Sequence, residues 1–207
     1  RISETIDMIL SQNIGQLGGI TPSFKYPTSE VCITGMFLNV ACYFKAPQDK
    51  LTSIIDYLIF TQLEDGGFNC RYAHKGTHHS SVHTTLSVIE GFWEYEKNGY
   101  TYRIDDVKAK RKEGEEFLLC HQLYKSDKED RIISSAFLSN HWPYHWHYDV
   151  TRALEYFVKS DHPYDERMKE ALDWIVSKGE YGIWSMSPRY SGHSFFLMDK
   201  SSERNNI

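Results

Sequence analysis

A glycine turn that recurs along the chain is the feature that most constrains its fold. The strongest copy is segment 62–68, Gln-Leu-Glu-Asp-Gly-Gly-Phe, which follows an apolar helical stretch. Weaker copies begin at Ile9, Phe117 and Trp174. In such a unit the glutamine closes the helix end, the glycines permit a tight reversal, and the aromatic ring fills the seam to the next unit. The repetition predicts stacked helical hairpins, none of which buries its apolar face alone.

Apolar periodicity together with start and stop signals predicts an all-α chain. The predicted helices lie near residues 3–12, 30–45, 50–63, 80–97, 105–124, 146–160 and 165–178. We expect the three that follow glycine turns to be inner helices, namely 30–45, 80–97 and 146–160. The three that lead into the turns are expected to be outer helices, namely 50–63, 105–124 and 165–178. Alternating apolar and polar residues support no more than a short strand, within 131–144.

Composition and charge argue against a nucleic-acid-binding protein and against a membrane-spanning one. A length of 207 residues with 41% hydrophobic content predicts one domain over 1–207. The net charge of −5, with signs interspersed, leaves no basic face for a nucleic acid. The longest apolar run, 31–44, is too short to be a transmembrane segment. The chain begins at Arg1 without a methionine, and we expect it to be a fragment of a longer protein.

The four cysteines lie far apart in the sequence, without paired spacing. They are Cys32, Cys42, Cys70 and Cys120. This pattern predicts reduced thiols and a cytoplasmic location.

Segments 62–68 and 113–122 resemble the QW-type repeat of the terpenoid cyclase and protein prenyltransferase superfamily, which includes squalene cyclases. The tryptophan of that repeat is replaced here by Phe68. Segments 65–70, 83–91 and 146–150 resemble uncharacterised bacterial prenyltransferase-like proteins. The resemblance implies an α/α toroid acting on an isoprenoid-type substrate. The predicted helices are too few to close a toroid, so missing terminal helices or a homo-oligomer would have to complete it.

The resemblance also implies a zinc site. Protein prenyltransferase β subunits hold zinc with an Asp-x-Cys at the start of one inner helix and a His at the start of the next. Glu30, Cys32 and His83 occupy comparable places, with glutamate replacing aspartate. A carboxylate, a thiolate and an imidazole leave a fourth zinc position open for a substrate thiolate or water.

Two other interpretations of these residues stay open. A cysteine on an apolar helix is commonly a small buried hydrophobe, and a single histidine commonly makes a hydrogen bond. Other side chains could also substitute as ligands, namely Cys70, His74, His78 and His79.

Segment 141–149 concentrates histidines and aromatic residues at the entrance to the third inner helix. His145 and Asp149 would lie on one face of a helix, and a carboxylate that orients an imidazole is the usual arrangement of a general acid or base. Asp149 and His147 are the residues expected to face the cavity, and we predict them as the catalytic candidates. Arg152 is the cation expected nearest the cavity. The alternative is that these rings wedge neighbouring units together, with their polar tips hydrogen-bonded.

Aromatic residues on the inner helices could line a central cavity. The candidates are Phe37, Phe92, Trp93 and Tyr148. Such walls would suit an isoprenoid chain and would stabilise a developing cation, although the same rings could simply pack helix on helix. The sequence therefore leaves two hypotheses: a zinc-dependent prenyltransferase-like or cyclase-like enzyme, and a non-catalytic toroid that binds a lipid or protein partner.

Overall fold

The computed structural model describes residues 1–22, 28–72, 77–185 and 187. These residues form seven α-helices, which are α1 Ile2–Gln12, α2 Val31–Tyr43, α3 Thr52–Phe60, α4 Val82–Lys97, α5 Ile104–Cys120, α6 Val150–Lys159 and α7 Lys169–Lys178. Strands β1 Gly179–Glu180 and β2 Ile183–Trp184 pair antiparallel. The prediction of a mainly helical chain is confirmed. Segment 131–144, for which the pattern supported at most a short strand, contains an isolated antiparallel bridge from Ile132 to Lys125 and the 3-10 turn Ser135–Phe137.

Helices α5 and α6 are each shorter at one end than predicted. Helix α5 ends at Cys120, and Gln122 and Leu123 follow with left-handed φ of 44° and 68°. Helix α6 begins at Val150, because Asp149 before it is extended, with φ of −146° and ψ of 169°. Neither backbone conformation can be part of a right-handed helix.

The chain divides into two compact units, Arg1–Leu118 and Leu119–Ile207. In the first unit, α2 and α4 run parallel in backbone contact. A Cβ added at Gly35 would lie 2.7 Å from the carbonyl oxygen of Ser87, and one at Gly91 would lie 2.6 Å from that of Gly35. Only glycine allows this approach. The core of the unit contains fully buried side chains from α2, α3 and α4, among them Leu38, Ile54, Leu58, Leu86 and Phe92.

The repeated glycine turn is present twice in this unit with the same hydrogen bonds. In turn 15–19, Gly15 N–H donates to Gly19 O at 2.8 Å; in turn 63–67, Leu63 N–H donates to Gly67 O at 3.0 Å. Gly18 and Gly66 take φ of 95° and 84°, which closes each reversal. The sequence repeat is therefore also a repeat of local structure.

Each turn is joined in the same way to the helix that follows it. Ile20 N–H donates to Thr34 Oγ1 at 2.9 Å, and Phe68 N–H donates to Thr85 Oγ1 at 3.0 Å. Both threonines lie in the first turn and a half of their helices, α2 and α4. The equivalent bonds place the starts of α2 and α4 in equivalent positions of the repeat.

Gln62 has a wider role than closing its own helix. Its Nε2 donates to Gly66 O at 2.6 Å and to Lys110 O of α5 at 3.0 Å. One side chain thus holds the reversal and ties it to the next outer helix.

The second unit contains α6, α7 and the hairpin. Trp184 Nε1 donates to Ile175 O at 2.8 Å, which fixes the hairpin on α7. Tyr148 is buried, and its hydroxyl donates to Leu123 O. None of the described helices combines the length and apolar composition needed to cross a bilayer.

Candidate metal centre

The start of α2 carries the first two residues of the site. Glu30 is extended, with φ of −109° and ψ of 129°, and its N–H donates to Ile20 O at 3.0 Å. Cys32 is the second residue of the helix. Turn 15–19 therefore delivers both side chains to the amino end of α2, where the helix dipole favours negative charge.

Cys70 joins them from the other copy of the repeat. It follows turn 63–67 closely, and its Sγ accepts hydrogen bonds from Cys32 N–H at 3.2 Å and from Thr84 Oγ1 at 3.4 Å. Since Thr84 belongs to α4, Cys70 lies between the amino ends of α2 and α4. The two glycine turns therefore bring Cys32 and Cys70, which are far apart in the sequence, next to each other.

Cys32 and Cys70 form a disulfide with a Cα–Cα distance of 5.5 Å and a sequence separation of 38 residues. The prediction that all four cysteines are reduced is wrong for this pair, because the two glycine turns bring together residues that sequence spacing keeps apart. Cys42 and Cys120 remain thiols, as predicted. Burial raises the pKa of the Cys42 thiol.

Glu30, Cys32 and Cys70 form a group that could hold a metal ion. One ligand atom from each side chain lies within 4.8 Å of the others, and all three residues are half-buried. A carboxylate and two thiolates suit a small divalent cation and leave a coordination position open. Holding an ion requires the reduced pair, since the thiolate is the metal ligand.

His83 lies beside this group without completing it. It is the second residue of α4, equivalent in the repeat to Cys32, and it precedes Thr84, which contacts Cys70. Among the described residues, Cys70 and not His83 completes the set with Glu30 and Cys32. The structure thus brings together two members of the predicted trio and replaces the third.

Of the histidines named as substitute ligands, the two that the structure describes are not in this group. His78 and His79 are exposed, and the carbonyl of His79 accepts from Asn69 Nδ2 at 2.7 Å. His74 lies outside the described residues. The sequence signal for Cys70 was its place just after the strongest glycine turn.

In the second unit, Asp149 caps α6. Its carboxylate is buried and accepts from Arg152 N–H at 2.9 Å and from His141 N–H at 3.4 Å. Burial raises the pKa of Asp149 to about 6, although both hydrogen bonds act in the opposite direction. Arg152 is buried beside it, and its Nη1 donates to His147 O at 2.8 Å. Both side chains hold the backbone at the entrance to α6.

His147 packs in the same entrance. Its ring stacks on that of Trp146 at a centroid distance of 3.9 Å. Its pKa is lowered by burial and by the neighbouring His141 and His145. These contacts agree with the packing interpretation of segment 141–149, while acid–base catalysis by Asp149 and His147 stays a prediction.

The predicted lining residues have different environments. Phe92 is fully buried and meets Phe68 edge to face at a centroid distance of 6.1 Å. Tyr148 is equally buried, against Phe137. Trp93 is half-buried under the Lys97 ammonium, which lies 4.5 Å from its ring centroid. Phe37 is half-buried on α2. Core packing accounts for Phe92 and Tyr148.

Comparison with known proteins gives no match among family models, curated proteins or solved structures. The resemblance to the terpenoid cyclase and prenyltransferase superfamily therefore stays a prediction.

Proposed function

We propose that this chain is a zinc-dependent protein of the prenyltransferase-like or terpenoid-cyclase-like kind, with its repeats arranged as an α/α toroid. The observation that carries the proposal is the grouping of Glu30, Cys32 and Cys70 at the amino ends of two equivalent helices. Cysteine sulfur and carboxylate oxygen are both zinc donors, and three protein ligands with an open position are the usual form of a catalytic site.

The residues around the ligands would support zinc binding. Cys32 N–H and the Thr84 hydroxyl both donate to Cys70 Sγ, which orients this sulfur and stabilises negative charge on it. The amino end of α2 adds a favourable field for the Cys32 thiolate. Zinc bound there would lower the pKa of a water or substrate thiol in the open position.

An apolar face of α2 supports an apolar substrate. It consists of four residues at helical spacing, Ile33, Phe37, Val40 and Phe44. Ile33 and Phe37 are half-buried, while Val40 and Phe44 are 45% and 41% exposed. The face begins directly after Cys32, so an isoprenoid-type chain bound along it would have one end beside the metal ligands.

Three further expectations belong to the proposal. A cytoplasmic location would keep Cys32 and Cys70 reduced and able to bind zinc. A homo-oligomer would supply the helices that a closed toroid needs beyond those of one chain. The acidic net charge disfavours a nucleic-acid partner.

The second candidate is a non-catalytic toroid that binds a lipid or protein partner. Phe92 and Tyr148, expected to line a cavity, are buried, and the Asp149 carboxylate caps a helix. These placements favour binding over acid–base catalysis in this chain. The zinc ligands would then hold a structural ion.

The metal proposal is tested by elemental analysis of the reduced 207-residue chain after zinc loading and removal of unbound zinc by dialysis. We expect about one zinc per chain. Cys32→Ser and Cys70→Ser should each lose it, because each removes a thiolate. His83→Ala should retain most of it. Loss in His83→Ala with retention in Cys70→Ser would restore the trio predicted from sequence, and no zinc in the parent chain would contradict the proposal.

The substrate proposal is tested by titrating the reduced, zinc-loaded chain with a farnesyl chain that carries an environment-sensitive fluorophore. Val40→Glu places a charge on the exposed part of the α2 apolar face, where Val40 is 45% exposed, and should weaken binding by about tenfold or more. Val158→Glu is the matched control, since Val158 is 76% exposed on α6. Equal affinity of the two variants would contradict a role for the α2 face.

A further inference from the structure

We infer that the Cys32–Cys70 pair is a redox switch that decides whether the metal centre can be occupied. The inference rests on the proposed function, because it concerns the same site. In the disulfide both sulfurs are bonded to each other, whereas in the dithiol both can become thiolate ligands. The chain therefore has one form that excludes the metal and one that accepts it.

The distance between the two cysteines suits both a disulfide and a pair of thiolates on one metal ion. A Cα–Cα distance of 5.5 Å lies within the range of disulfides, and it also lets two thiolates face one small cation. Each cysteine is held by its own element: Cys32 by α2, and Cys70 by the hydrogen bond from Thr84 of α4. Exchange between the forms thus requires side-chain rotation rather than repacking of the core.

The oxidised and reduced forms should differ strongly in zinc affinity, because oxidation leaves Glu30 as the single ligand. In the oxidised form the two sulfurs are bonded to each other, so of this group only the Glu30 carboxylate is left as a ligand. One carboxylate with no thiolate beside it is a weak zinc site. Because loss of a single supporting contact costs about 10–100-fold in metal affinity, loss of two thiolates should cost more than about 100-fold.

The pair is also accessible. Cys32 and Cys70 are both half-buried, whereas Cys42 is buried, so the pair is more open than Cys42 to a small thiol or peroxide. Accessibility together with an adjacent carboxylate distinguishes this disulfide from one enclosed in a core.

The chemistry balances with small-molecule thiols and peroxides as partners. A dithiol reductant attacks one sulfur, forms a mixed disulfide and then closes on itself; it gives two electrons and two protons to the pair and becomes a cyclic disulfide. In the reverse direction, the two cysteine thiolates give two electrons to a peroxide. Its O–O bond breaks, two protons come from solvent for hydrogen peroxide, and two waters form as the S–S bond closes.

The test uses the 207-residue chain and zinc ion alone. The protein is reduced with dithiothreitol, desalted anaerobically, loaded with zinc, and then treated with hydrogen peroxide in the presence of a chromophoric zinc chelator. We expect about one zinc per chain to be released, in step with the mass loss of two hydrogens on disulfide formation. Fresh dithiothreitol, followed by desalting, should restore binding. Cys120→Ser is the control and should behave as the parent chain.

The outcomes separate this inference from the proposed function. Equal zinc affinity in the oxidised and reduced chain would overturn the switch while leaving the metal site in place. Absence of zinc from the reduced chain would overturn both. Cys70→Ser, with its helix content checked by circular dichroism, should bind zinc weakly with and without peroxide, and peroxide-dependent release in this variant would also contradict the switch.

Discussion

Asp149 shows how one residue can take either of two roles, depending on where a helix begins. A helix starting near 146 would place its carboxylate in the first turn, available to a neighbouring histidine. The observed start at Val150 makes Asp149 the N-cap, bonded to Arg152 N–H. The carboxylate is therefore committed to backbone donors, and burial raises its pKa to about 6.

Asp149 should make stability depend on pH. The folded chain keeps the carboxyl proton up to about pH 6, whereas the ordinary value is 3.8. Between these values the folded state binds more protons than the unfolded state, so the free energy of unfolding falls as pH rises through this window. Asp149→Asn cannot titrate. From pH 3.5 to 7, urea unfolding should show the parent losing about 2–3 kcal/mol more than this variant.

A companion variant isolates the cap. Asp149→Ala also removes the titration, but it leaves the first N–H groups of α6 without their acceptor. It should be about 1 kcal/mol less stable than Asp149→Asn. The same pH dependence in the parent and in Asp149→Asn would show that the carboxylate does not titrate in this window.

The members of the candidate metal group were partly predictable at the residue scale. Glu30 and Cys32 could be named because they start a helix that follows a glycine turn. Cys70 could be named only as a substitute, because its distance to Cys32 depends on the geometry of two turns rather than on spacing along the chain. His83 is equivalent to Cys32 in the repeat, but equivalence of position does not fix which side chains meet.

At the scale of elements, the threonine after each glycine turn is the most regular feature of the repeat. Thr85 Oγ1 accepts from Phe68 N–H in a fully buried setting. Thr85→Val keeps the shape but leaves that N–H without its acceptor. We expect a loss of about 1–3 kcal/mol in the free energy of unfolding, measured by urea denaturation. Thr52→Val is the control, because its lost bond to Asp49 O is exposed to water; an equal loss there would contradict the argument.

The contact between α2 and α4 should tolerate no side chain at its centre. A Cβ at Gly35 would meet backbone atoms of Ser87 and Val88 at 2.7 and 2.8 Å, which cannot move without shifting α4. Gly35→Ala should therefore cost about 1–3 kcal/mol in thermal or urea unfolding.

Gly99 offers a matched comparison for Gly35. Nothing lies within 4 Å of a Cβ at Gly99, although its φ is 78°. Gly99→Asn should be nearly neutral, because asparagine tolerates left-handed backbone. A Gly35→Ala chain as stable as Gly99→Asn would mean that the helices can separate at little cost.

At the scale of the whole chain, the spacing of apolar residues predicted where the helices lie. The packing around their termini determined the residues at which they begin and end. Apolar spacing located all seven helices, because each must bury one face. The left-handed residues Gln122, Leu123 and His145 were not predictable, since non-glycine residues adopt such φ values only where surrounding packing requires it. The repeat was predictable from its glycines, because the same hydrogen bonds close turns 15–19 and 63–67 and both turns need a glycine with positive φ.

The proposed metal centre joins residues of the two repeat copies, so its coordination is the measurement that tests the proposed function most directly. Zinc K-edge X-ray absorption on the reduced, zinc-loaded chain should show about two sulfur ligands at about 2.3 Å and lighter oxygen or nitrogen ligands at about 2.0–2.2 Å. Cys70→Ser should lower the sulfur count to about one. A single sulfur in the parent chain, unchanged in Cys70→Ser, would contradict the Glu30–Cys32–Cys70 centre.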